Sequence, residues 1–273
     1  MRILYLGDVV GRSGRDVVAG RLPRLRRELK LDFVICCGEN AAHGFGITPR
    51  ICDDFFNVGV DVLTTGNHAW DQREIIPHFA KESRLLRPIN FPPGAPGAGL
   101  GVFSDARGRQ VLVVQVMGRL FMDALDCPFR TLDQVIRPYR LGGNVAAIVV
   151  DFHAEATSEK QALAMAYDGR VSAVVCGHTH VPSADARVLP KGTAFQTDAG
   201  MCGDYTSVIG MKAPAAIDRF VRKGPGERLS PADGPGCLCG LLIETDDATG
   251  KARRVAPLRM GAGLAETGLP HWH

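Results

Sequence analysis

The sequence predicts an α/β protein that gathers ligand-type side chains at one end of its strands. Three observations carry this. Short apolar runs alternate with stretches of helical spacing through the first half of the chain. That βαβ rhythm predicts parallel strands with helices on both faces. Five of the runs end in a residue able to bind a metal ion. Glycine stands immediately before four of those residues, at positions 7, 38, 66 and 177, where it lets the backbone turn sharply and approach a ligand.

The five runs are specific. Arg2 to Gly7 ends at Asp8, and Phe33 to Gly38 ends at Glu39 and Asn40. Val62 to Gly66 ends at Asn67 and His68, and Ala146 to Phe152 ends at His153. Ser172 to Gly177 ends at His178, Thr179 and His180. In an open α/β sheet, ligands bind at the carboxyl ends of the strands. Five such ends with polar side chains read as a place for metal ions.

The elements follow in order. A strand at 2–7 precedes a helix at about 14–29, bent or restarted near Pro23, with Leu22, Leu25 and Leu29 on its buried side. The basic stretch Arg21 to Lys30 is the solvated face of that helix. A strand at 33–37 leads to a helix near 49–57, and a strand at 61–65 to a short helix near 70–80. Phe91 to Gly99 is a surface loop, and runs at 100–104 and 110–116 pair as a hairpin. Helices are expected near 131–138 and 157–167, with strands at 145–151 and 172–176. Beyond His180 the pattern turns β-rich, near 186–189, 193–197, 237–244 and 252–258. The segment 211–236, around a helix at 214–222, reads as an excursion, a cap or a subunit contact. The tail from Gly261 to His273 has little core-forming content.

Bulk properties narrow the function classes. A chain of 273 residues suits one domain with an elaboration. A net charge of +3 gives no general attraction to nucleic acid or membrane. No apolar run approaches the ~18–20 residues of a membrane span, and the opening strand leaves no room for a secretory signal. Four of the eight cysteines (Cys36, Cys37, Cys176 and Cys239) lie in apolar runs, which suits a reduced, cytoplasmic protein. Cys237 and Cys239 have the wrong spacing and too few partners for a structural zinc site.

The ligand candidates are Asp8, Glu39, Asn40, Asn67, His153, His178 and His180. They include no cysteine, which disfavours a thiolate site and leaves manganese, iron or zinc. If residues 178–180 remained extended, both histidines would face one side; a loop would reach the same end by other geometry.

Gly7-Asp8, Gly66-Asn67-His68, His153 and Gly177-His178-Thr179-His180 resemble, in that order, the motifs of the calcineurin-like metallophosphoesterase superfamily. Two departures narrow the resemblance. Val10 stands where a histidine is usual, and Glu39-Asn40 where an aspartate is usual. Both departures are similar to the YmdB-like branch, as are Gly7 to Gly11, Gly38 to Gly44, Gly118 to Met122 with Pro128-Phe129, and Thr197 to Gly203. The resemblance covers nearly the whole chain. It implies a calcineurin-like fold, two central β-sheets flanked by helices, as a single domain over 1–273. It also implies a dinuclear centre, often iron-containing, that hydrolyses cyclic nucleotides. By the same resemblance Asp8, Glu39, Asn40 and His180 hold the first metal, Glu39 bridges, and Asn67, His153 and His178 complete the second. His68 takes the place of the general acid.

Elementary chemistry accommodates those roles. Two metals can stabilise attacking and leaving oxygens of an in-line displacement. Water between them loses a proton easily, and the hydroxide attacks phosphorus. An imidazole at His68 can protonate the departing alkoxide. The expected activity is that of a phosphodiesterase on 2′,3′- or 3′,5′-cyclic nucleotides, a small-molecule substrate. The alternatives are a phosphomonoesterase or nucleotidase with the same site, and a regulatory protein that binds nucleotide or RNA. The excursion and the β-rich end are the surfaces a homo-oligomer would use.

Other residues have plain readings. Ser13 suits a helix cap, with Arg12 and Arg15 either beginning that helix or contacting phosphate. His43 lies in a loop beside the site, and His78 is structural. His271 and His273 are solvated tail residues. Phe121, Met122 and Phe129 are core residues by default, with a base-binding pocket as the alternative. Asp198 is either a turn residue or a group that orients a histidine.

Overall fold

The structure is a computed structural model and describes residues 1–222, 226–270 and 272. His271, His273 and the part of the excursion at 223–225 lie outside the described residues. The elements are β1 (Arg2–Leu6), β2 (Asp8–Val9), α1 (Gly11–Glu28), β3 (Phe33–Cys37), α2 (Pro49–Asn57) and β4 (Val62–Thr64). A 3-10 turn at Arg73–Ile75 runs into α3 (Ile76–Phe79), followed by β5 (Leu85–Leu86), β6 (Leu100–Ser104), β7 (Gln110–Met117) and α4 (Pro128–Ile136). Next come β8 (Ala147–His153), α5 (Thr157–Ala166), β9 (Ala173–Gly177), β10 (Arg187–Val188), β11 (Ala194–Gln196) and β12 (Met201–Cys202). The chain closes with α6 (Ala213–Val221), β13 (Cys237–Thr245) and β14 (Ala252–Gly261).

Two six-stranded sheets form the centre. The first has the order β14-β13-β1-β3-β4-β5, the second β10-β11-β9-β8-β7-β6. Strands β1, β3, β4 and β5 run parallel, as do β7, β8, β9 and β11. Antiparallel strands complete the edges, with β13 beside β1, β14 beside β13, β6 beside β7 and β10 beside β11. The runs at 100–104 and 110–116 do pair as a hairpin.

The sheets pack face to face. Ile3, Tyr5, Phe33 and Ile35 of the first meet Val111, Val113, Val149 and Val175 of the second in one buried core. Alternate residues point outward. Leu4, Val34 and Leu63 pack on Val18, Leu22 and Leu25 of α1 and Phe55 of α2. Leu112, Val114, Ile148 and Val150 pack on Leu132 and Ile136 of α4 and Leu163 of α5. Strands buried on both faces read as unbroken apolar runs. The helices therefore cover the outer faces of a pair of sheets, as the family resemblance implies, and not both faces of one sheet as the βαβ rhythm alone predicts. The second layer of strands occupies the inner face.

Local chemistry explains the boundaries. Thr48 Oγ1 accepts the Ile51 N–H at 3.3 Å and Pro49 opens α2, a capped start. Helix α1 begins at Gly11, three residues earlier than its spacing predicts, and runs through Pro23 without a break. Its first turn has no side-chain cap; Ser13 Oγ instead donates to the Gly234 carbonyl at 2.7 Å. The turn is fixed by packing, since a Cβ at Gly14 would lie 2.2 Å from the Cys202 carbonyl oxygen. Strands β2, β5 and β12, of two residues each, are too short to show a period. Among the described residues, no helix is long and apolar enough to cross a membrane.

Candidate metal centre

Five strand ends meet at one seam, three from the first sheet and two from the second. Asp8 begins β2 directly after β1. The intervening Gly7 lies so close to the backbone of residue 200 that a Cβ would sit 1.8 Å from its carbonyl oxygen. Glu39 and Asn40 follow β3, and Asn67 and His68 follow β4. His153 is the last residue of β8, level with Gly177 at the end of β9. Residues 178–180 do not continue the strand. His178 and His180 both adopt left-handed backbone, φ 95° and 65°, so the pair is presented by a loop.

The ligand atoms crowd around His153 Nε2. Glu39 Oε1 lies 2.9 Å from it, Asn67 Oδ1 3.1 Å and His178 Nδ1 3.1 Å. A ring nitrogen carries one proton or one lone pair and cannot satisfy three such neighbours. A cation among them can. Beside this group, Asp8 Oδ1 and Asn40 Oδ1 are buried with no hydrogen-bond partner. Asn40 Nδ2 donates to the Gly44 carbonyl at 3.0 Å, which fixes which way its amide faces. His180 Nδ1 donates to the Ile209 carbonyl at 2.8 Å, leaving Nε2 3.7 Å from Asp8 Oδ2. The His178 N–H donates to the same Asp8 oxygen at 2.7 Å.

Ligand atoms of Glu39, His153 and His178 lie within 4.8 Å of one another, and so do those of Asp8, Glu39 and His180. Glu39 belongs to both groups. The donor set of carboxylate, amide oxygen and imidazole, with orphaned buried acceptors, fits divalent metal ions.

Electrostatics follow from burial and proximity. Burial alone would raise the Glu39 carboxyl, but the adjoining His153 outweighs it and holds the group low. Burial works against charge on His153, yet the carboxylates of Glu39, Asp8 and Asp151 push it up. Burial and the charge of His153 together push His178 down to about 4.

His68 sits at the edge of this group. Its N–H donates to Glu39 Oε2 at 3.3 Å, and its Nδ1 lies 2.8 Å from Asp71 Oδ2. Phe45 packs edge-on to its ring at 5.1 Å between centroids. The ring is thus oriented from two sides, with Nε2 left for other contacts.

Several residues were not legible as participants. Asp71 orients His68, and Glu155 Oε2 lies 3.3 Å from His178 Nε2. Asp71 stands three residues after His68, a spacing the sequence offers, whereas Glu155 meets His178 only in the fold. Cys37 lies with Asp8 and His153 within 4.8 Å, behind the seam. Burial, with Asp8 and Asp151 nearby, pushes its thiol well above the ordinary range, so it stays neutral. Its place in an apolar run concealed it.

Of the other expectations, the one for Phe121 is corrected. Phe121 is not a core residue: it is 91 % exposed with φ 61°, while Met122 and Phe129 pack partly buried against the second outer core. Arg15 donates to the Ala41 carbonyl and Arg12 pairs with Asp16. His43 is exposed, with φ 54°. Asp198 orients no imidazole directly; it binds Thr179 between the two histidines. Cys237 and Cys239 are buried free thiols.

Paired mixed sheets with carboxylates, amides and imidazoles converging at their strand ends define the metallophosphoesterase class. The chain belongs to the YmdB-like family, whose family model matches residues 4–258. It is 46 % identical over 255 residues to a 2′,3′-cyclic-nucleotide 2′-phosphodiesterase of Bacillus subtilis, covering 93 % of this chain and 95 % of that one. Among solved structures it is similar to a hypothetical protein of Thermus thermophilus, with a TM-score of 0.89, 41 % identity, and 96 % and 99 % of the two chains covered. It is also similar to a novel phosphatase of Mycoplasma pneumoniae, with a TM-score of 0.88, 33 % identity, and 96 % and 93 % covered.

Proposed function

We propose that this enzyme, a phosphoric diester hydrolase, uses a dinuclear metal centre to open cyclic nucleotides, foremost those with a 2′,3′-cyclic phosphate. The crowding of Glu39, Asn67 and His178 around His153 Nε2 carries the reading. The activity of the Bacillus subtilis relative supports the substrate class. Asp8, Glu39, Asn40 and His180 would hold the first ion. Asn67, His153 and His178 would hold the second, and Glu39 would bridge them. Iron is the favoured metal, with manganese or zinc accepted by the same donors. The ions, once bound, would supply Lewis acidity to the phosphoryl group and a more acidic water.

The remaining work falls to His68. Asp71 fixes its Nδ1, so Nε2 is the atom that would deliver a proton to the departing alkoxide. An alkoxide is a poor leaving group, and without that proton the ring would reclose. The phosphatase among the relatives supports a second reading, a phosphomonoesterase with the same site. Relative turnover of bis- and mono-p-nitrophenyl phosphate separates the two.

The chain reads as one domain, with 211–236 as a cap or as the contact of a homo-oligomer. Ile217, Phe220 and Val221 of α6 present apolar side chains to solvent, which suits either role. Eight free cysteines, seven of them buried, suit a reducing cytoplasm.

Elemental analysis and a cyclic-nucleotide panel on one anaerobically purified sample test the proposal. Two transition metals per chain and turnover of 2′,3′-cyclic nucleotides are expected. Full activity in a metal-free sample would overturn the metal centre.

A further inference from the structure

We propose that Lys160 and Asp198 form a buried pin that holds residues 178–180 in the shape needed to present both histidines to metal. This rests on the dinuclear reading above. His178 and His180 both have left-handed backbone. That conformation is costly outside glycine and persists only where the surroundings impose it. Thr179, between them, is the point of attachment. Its N–H and its hydroxyl both donate to Asp198 Oδ2, at 3.1 and 2.7 Å.

The same oxygen accepts from Lys160 Nζ at 3.0 Å, and Asp198 Oδ1 accepts the Gly200 N–H at 2.8 Å. Both side chains are buried, Lys160 completely. The Asp198 backbone is held in turn by Ser183, through N–H to Oγ at 2.9 Å and the Ser183 N–H to carbonyl at 3.0 Å. The Tyr205 hydroxyl lies 3.2 Å from the His180 carbonyl and 3.1 Å from the Met201 carbonyl, which ties the exit of the segment to β12.

Lys160 has no packing reason to be an amine. It lies on α5, a helix packed on an apolar outer core where an aliphatic side chain would serve. A buried ion pair is often no more stabilising than apolar residues of similar size. Its use here is geometric. The carboxylate must stay charged and in place to accept three donors, and the ammonium beside it supplies the countercharge. One pin serves both ligand groups, because His178 stands with Glu39 and His153 while His180 stands with Asp8 and Glu39. Lys160 and Asp198 are positioning residues and contact neither imidazole.

Manganese titration of chelator-treated protein, paired with thermal unfolding in chelator, tests the pin. Thr179→Val removes one donor and keeps the shape; Thr179→Ser keeps the donor. Thr179→Val should bind manganese about 10-fold more weakly, with an unchanged unfolding midpoint in chelator, and Thr179→Ser should bind as wild type. Lys160→Met and Asp198→Asn should weaken both sites by about 10–100-fold. If Lys160→Met fails to fold, the threonine pair decides alone. Wild-type affinity in Thr179→Val, or equal weakening in Thr179→Val and Thr179→Ser, overturns the pin while leaving the metal centre standing. A wild-type protein that takes up no manganese overturns both.

Discussion

The two halves of the centre are built by different means. The first sheet delivers the oxygen donors and the proposed acid: Asp8, Glu39, Asn40, Asn67 and His68 all follow β1, β3 and β4. The second sheet delivers only imidazoles, His153, His178 and His180. The first half is braced within its own loops. Asn40 is held by Gly44 four residues on, and His68 by Asp71 three residues on. The second half is braced across the sequence, since Thr179 depends on Asp198 and Lys160, and His180 on Ile209. An oxygen donor after a glycine turn needs little more than that turn. Two histidines with left-handed backbone need distant anchors.

Breaking the group shared by both halves should have the largest effect. Glu39 contacts His153 across the seam and belongs to both ligand groups. Glu39→Gln removes that charge, so metal content should fall at both positions and turnover should drop by at least ~10³-fold. Elemental analysis that still finds two ions per chain would refute the bridging role.

Breaking only the local half should spare the metal. His68→Ala should retain both ions and lose about 10²–10⁴-fold in turnover of cyclic nucleotides. The loss should be much smaller with bis-p-nitrophenyl phosphate, whose leaving group needs no proton. Equal losses on the two substrates would remove His68 from that role.

The smallest effect concerns the support beneath the histidine loop. Burial would raise the Asp185 carboxyl, but bonds from Ser183, Thr197 and Arg187 hold it down at about 2. A carboxyl lowered on folding stabilises above its unfolded pKa of about 3.9, and that contribution is lost as pH falls through the folded value. Asp185→Asn should therefore unfold at a lower temperature than wild type at pH 6, with the gap closing toward pH 2. A gap independent of pH would mean that shape, not charge, is what Asp185 contributes.

The same contrast governs what could be read from the sequence. Asp8, Glu39, Asn40, Asn67, His153, His178 and His180 were legible because each follows an apolar run, four of them directly after a glycine. The strand and helix order was legible for the same reason, down to the edges of β3 and α2. The second layer was not legible in the apolar pattern, because a strand buried by a helix and one buried by another sheet carry the same run; the resemblance to metallophosphoesterases is what implied two sheets. Lys160 was not legible either. In Thr157-Ser-Glu-Lys-Gln it reads as a solvated helix residue, and only its long-range partner Asp198 explains its complete burial. Phe121 misled in the opposite direction, an aromatic residue held out in water.

The strand order also carries a consequence for biosynthesis. The second sheet uses β6 to β11, consecutive strands that can assemble from one continuous stretch of nascent chain. In the first sheet β1 lies between β3 and β13, with Ile3 paired to Ile243. That sheet stays open on one side of β1 until β13 has emerged. Domains fold as their segments become available, so the histidine half should form early and wait. The strand that carries Asp8 into the seam is made before both of its partners and is enclosed only when β13 arrives.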